Sequence, residues 1–171
     1  MGKNENKKGF KIADPQVQLD KIIIQQSKYK LGEQGYSFHA IRDLKPTFAF
    51  DYLSLSGSEL CYNSDKLTAK DYLGLLEGLK KVSSISYNEL KVRPNYRFHQ
   101  IDFDNPSVSI SRRDFKAILT FKETLLKDEE LPSLYQFDIQ YVQKARVCGF
   151  LYKGIFYLVW YDRNHTIYPR P

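Results

Sequence analysis

Three residue types that hold phosphate or move its protons stand together near the end of the chain: Arg163, His165 and Tyr168. They follow a β-rich apolar run, Ile155 to Tyr161, and Asp162 directly precedes them. Cleaving RNA through its own 2′-hydroxyl needs a base for that hydroxyl, an acid for the leaving oxygen and a cation for the charged intermediate. His165, Tyr168 and Arg163 can fill those roles with no metal and no cofactor. Arg146 opens the preceding β-rich run. If the two runs pair, it lies opposite the end of the second and can reach the same place as a phosphate clamp. Asp162 then either orients His165 or caps the turn. The competing reading is a polar turn after an edge strand, with both arginines solvated.

Other polar groups carry weaker signals. His39 and His99 each follow a phenylalanine in alternating segments, which turns both away from the core on a sheet surface. Three scattered histidines lack any recognised metal-ligand spacing. Basic residues recur beside aromatics: Lys91, Arg93, Tyr96 and Arg97, then Arg112 and Arg113, then Lys144, Arg146, Tyr152 and Lys153. Such interleaving suits an RNA backbone with stacked bases, and Arg97, Arg112, Arg113, Lys144 and Lys153 are the candidate RNA contacts. Solvated faces plus core aromatics explain the same residues one by one. Asp102 and Asp104 form a carboxylate pair with no accompanying motif, so no chemistry is assigned to them.

The elements that must position these groups belong to a folded chain. Among 171 residues, 42% are hydrophobic and 15% aromatic, more than a disordered chain carries. That length predicts a single domain over 1–171, with 1–11 a loose tail and 12–45 an N-terminal extension. The net charge of +6 favours acidic partners such as RNA or an acidic protein. Cys61 and Cys148 fit no CxxC spacing and read as free thiols of a reducing compartment. The first residues hold no apolar signal region and no run approaches a membrane span, so the expected place is the cytoplasm, without membrane contact.

Periodicity then gives the order of elements. Asp14 and Pro15 start a helix, as N-cap and first turn. Residues 36–42 and 47–55 alternate as strands, forming a hairpin around Pro46. Thr68 with Asp71 makes a capping box for a helix whose Tyr72, Leu75, Leu76, Leu79 and Val82 share a face. Ser86 with Glu89 caps a short second helix, and Ser111 with Asp114 a third over 111–127. Strands are expected over 96–103, 134–142, and on either side of a tight turn at Tyr152, Lys153 and Gly154. This is an α+β chain: an antiparallel sheet ending in a strand meander, with helices packed on one face.

From residue 47 onward the chain resembles the RelE/ParE toxin superfamily, which includes the YoeB- and YafQ-like mRNA interferases. The resemblance rests on a strand, a helical hairpin over 68–90 and a run of strands. It rests also on an Arg-bearing strand, a turn, an apolar strand and a basic, His- and Tyr-bearing terminus. It implies a small toxin or phage-defence endoribonuclease that cleaves mRNA without metal, often in the ribosome, and is neutralised by a cognate antitoxin. It implies phosphate-binding roles for Arg146 and Arg163, a general acid or base in His165 and a terminal aromatic in Tyr168. ParE-like members act on a protein without cleaving RNA, so the resemblance equally implies a non-catalytic module binding a protein or RNA. The chain departs from the family in its N-terminal 45 residues and in the additional helix at 111–127.

Overall fold

A computed structural model describes residues 38–55, 57–120, 126–139 and 145–168. The chain divides into two compact units, 1–30 and 31–171, and all described residues belong to the second. The helix expected from Asp14 and the RNA contact expected at Lys144 lie outside the described residues.

A short helix α1 (Phe38–Ile41) comes first, followed by strand β1 (Thr47–Ala49). Helices α2 (Ala69–Val82) and α3 (Tyr87–Val92) form a pair, and β2 (His99–Gln100) and α4 (Arg112–Leu119) follow. Strands β3 (Leu134–Asp138), β4 (Arg146–Tyr152) and β5 (Ile155–Asp162) complete the described chain. The class is α+β, with β3 to β5 a meander. The five strands lie in the order β1-β5-β4-β3-β2. Because β1 joins β5 in parallel, the sheet is mixed, not wholly antiparallel. A parallel pair needs a crossover, and the whole middle of the chain supplies it.

Local chemistry sets the helix starts. At each of Thr68/Asp71, Ser86/Glu89 and Ser111/Asp114 the N-cap hydroxyl accepts from the N3 amide, and the N3 carboxylate accepts from the N-cap amide. The β4–β5 turn runs through Lys153 and Gly154 at φ +49° and +84°, the left-handed pair a two-residue hairpin loop requires. Gly149 sits at a register shift where a Cβ would lie 2.1 Å from the Tyr157 carbonyl oxygen, so a side chain has no room there.

Both faces of the sheet are covered. Leu75, Leu79 and Val82 of α2 and Leu90 of α3 pack with Phe137, Val147, Phe156, Leu158 and Tyr161. On the other face Phe115 and Leu119 of α4 pack with Leu134, Cys148, Phe150 and Trp160. The expectation of helices on one face is therefore corrected, because α4 carries its own apolar stripe. Cys61 and Cys148 are free and buried. No helix of the described residues is long and apolar enough to cross a membrane.

Several expected strands contract. Residues from Phe38 form α1, because Phe38 and Ile41, three apart, both turn inward. β1 stops at Ala49, and Leu53 bonds back to Phe50 in a turn. β2 keeps two residues, since Arg97 at φ +46° leaves the extended region just before it. β3 ends at Asp138 and α4 at Leu119, where Thr120 caps in an extended conformation, while 121–125 and 140–142 of the expected elements lie outside the described residues. Tyr72 and Leu76, expected on the buried stripe of α2, are exposed.

Candidate functional site

Pairing across three strands builds a polar row on the α4 face. Asp138 stands opposite Arg146, and Arg146 opposite Asp162, as the sequence implies for the last two runs. Arg146 Nε lies 2.5 Å from Asp138 Oδ1 and Nη1 donates to its neighbour's carbonyl, Ala145 O, at 3.0 Å. Its side chain is 2% exposed, so the guanidinium expected as a phosphate clamp is paired with a carboxylate inside the fold.

Asp162 organises the chain's return. Its carboxylate accepts from Thr166 N at 2.7 Å, Thr166 Oγ1 at 3.1 Å and Ile167 N at 2.8 Å. Asp162 thus caps the turn, and these bonds hold the segment that carries Tyr168. His165 occupies the turn in the left-handed region at φ +59°. Ile167 O accepts from Ser109 N at 2.9 Å, pinning the segment to the loop before α4. Tyr168 then receives a hydrogen bond from Asn105 Nδ2 at 2.8 Å, and its ring meets His99 edge-on at 5.7 Å between centroids.

His99 is thus in contact with Tyr168. Gln136 Nε2 lies 3.2 Å from His99 Nε2; with the amide donating, the imidazole is neutral and carries its proton on Nδ1. Burial, and then the Arg146 charge, pull the His99 pKa below its ordinary value, which favours that neutral form. Gln136 Oε1 is buried without a hydrogen-bond partner among the described residues.

Arg163 points the other way. Successive strand residues alternate faces, so with Asp162 on the α4 face Arg163 reaches the α2 face. Arg163 Nε donates to Asp71 Oδ1 at 2.7 Å, at the first turn of α2. Burial pushes the Asp71 carboxyl up, but the Thr68 hydroxyl and amide and the Arg163 guanidinium outweigh it and leave it below its ordinary value. Arg163 and Arg146 thus lie on opposite sides of the sheet, each in an ion pair, and do not share a pocket.

The expected RNA contacts are spread as widely. Arg97 is exposed and lies 3.9 Å from Asp138. Arg112 lies over the Phe103 ring at 5.5 Å and 4.0 Å from Asp104, and Arg113 is exposed beside it. Lys153 caps the far end of the β4–β5 hairpin over Tyr152, about 20 Å along the strand from Arg146 by strand rise. Among the described residues no three His, Cys, Asp or Glu side chains converge as metal ligands.

An open apolar surface lies elsewhere, between β1 and α2. A groove of about 530 Å³ is lined by Lys45, Pro46, Thr47, Phe48, Phe50, Leu76, Leu79, Lys80 and Ser83. Phe50 is 55% exposed, Leu76 62%, and Leu73, one turn before Leu76, 59%. Sequence reading missed this surface because an apolar residue at helical spacing looks the same on a buried and an open stripe. It missed the pairing of His99 with Tyr168 because these residues meet only in the fold. Comparison with protein-family models, curated proteins and solved structures gives no match to this chain.

Proposed function

We propose that this chain is a binding module of RelE/ParE-like element order that docks a protein partner, and not a nuclease built on His165, Arg163 and Arg146. The exposed apolar groove between β1 and α2 carries the reading, since contiguous apolar surface beside charged residues marks protein-binding sites. The two arginines that a shared phosphate site would need are each held by a carboxylate, on opposite faces. A cognate antitoxin is the kind of partner the family resemblance implies.

The test is mRNA integrity during cell-free translation. Wild-type protein is expected to leave mRNA intact with or without ribosomes. Cutting that is abolished by His165→Ala would overturn the reading and restore the interferase.

A second reading, metal-independent RNA cleavage on the α4 face, is favoured by one contact. His99, held neutral, touches Tyr168, and exposed Arg97 precedes it on the same strand approach. A neutral imidazole is the state a general base needs, and a phenol can donate a proton to a leaving oxygen. In that case wild type cuts mRNA, His99→Ala and Tyr168→Phe lose the activity, and His165→Ala keeps it.

A further inference from the structure

We propose that the β1–α2 groove takes an extended, acidic and apolar segment of a partner protein, added as a strand along the edge of β1 away from β5. The inference rests on the binding-module reading and names the chemistry of the partner. Three observations carry it. Among the described residues β1 has a hydrogen-bonded neighbour only on its β5 side, the position of an edge strand. Beside that edge stand Phe50 and Leu76, both more than half exposed, with Phe48 and Leu79 deeper in the groove. An added strand would place alternate side chains there, which is how strand addition gains specificity.

Charge selects the partner. Lys45 and Lys80 line the groove, Lys81 stands in the adjoining recess, and the carboxylate lining either is Glu77. Lys45 and Lys80 form no ion pair with a described residue. The cationic rim also disfavours a second copy of the same edge, because like charges would face each other. Pro46 and the three-residue length of β1 restrict the edge to a short segment.

The experiment uses the full chain and two synthetic peptides, one alternating valine with glutamate and one alternating valine with lysine. Binding is read by fluorescence anisotropy, and amide exchange is followed by NMR. The glutamate peptide is expected to bind and to slow exchange at Thr47, Phe48 and Ala49. The double variant Lys45→Glu, Lys80→Glu should weaken it about tenfold, as should Leu76→Asp, with unchanged melting temperature. Equal binding of the lysine peptide, no binding of either, or binding without slowed exchange in β1 would overturn the inference. An acidic amphipathic helical peptide that binds across Leu76 without protecting β1 would also overturn strand addition, yet leave the binding-module reading in place. Cleavage of mRNA by the wild type would instead remove that reading, whatever the peptides do.

Discussion

The two faces of the sheet each hold one of the arginines that the sequence suggests as a pair, and they hold them differently. Under α4, Arg146 is 2% exposed and meets Asp138 inside the fold. Under α2, Arg163 is 40% exposed and meets Asp71, which also caps the helix. The same ion pair therefore means two things. The enclosed one is a desolvated pair in which either charge loses its closest compensation when the other is removed. The open one lies in water's reach and adds modestly to a cap that already exists.

Removing either arginine breaks the comparison most directly. Arg146→Ala should destabilise the fold by about 3 kcal/mol, read as a lowered denaturation midpoint, because the largely enclosed Asp138 carboxylate loses its close partner and keeps the more distant Arg97. Equal midpoints for Arg146→Ala and Arg163→Ala would show that the α4 face is as wet as the α2 face. Tyr168→Phe comes next. It removes the acceptor of Asn105 and should cost about 1 kcal/mol, with the backbone bonds of Asp162 intact.

Arg163→Ala should cost less, under about 1 kcal/mol after solvent screening. The Asp71 carboxyl gives this face an acid signature. Its pKa is lowered in the fold, so its contribution is present above the ordinary carboxylate range and fades as pH falls through that range to the folded value. Acid titration of stability should therefore be less steep in Asp71→Asn than in the wild type. An unchanged slope would mean that the Arg163 and Thr68 contacts do not hold the ionised form.

The smallest effect on stability is expected at the groove. Leu76→Lys should change the denaturation midpoint by less than about 0.5 kcal/mol, since the side chain is largely in water. A large loss there would mean that Leu76 is a core residue and the groove is not open.

Much of the local structure was legible because it depends on neighbours in sequence. The three capping boxes are reciprocal bonds spanning three residues, and Ser, Thr, Asp and Glu in that spacing announce them. The meander and its turn were legible for the same reason: β-rich runs flank Lys153-Gly154, and the register that follows puts Arg146 opposite Asp162. Alternation misled at residues 96–103, where Arg97 turns left-handed, and at 38–41, where four residues satisfy a helical face as well as a strand.

The candidate site was less legible because its contacts are long-range. Arg163 reaches Asp71 across 92 positions, and Asn105 reaches Tyr168 across 63. Residue types alone determined that arginine, histidine and tyrosine would gather near the last strand. Only the tertiary structure decided that successive residues at its end turn to opposite faces, so that Arg163 meets the Asp71 carboxylate at the start of α2 and His99, not an expected site residue, meets Tyr168. The physical reason is that pleating separates neighbours in sequence by the thickness of the sheet, while folding joins residues that no local pattern connects.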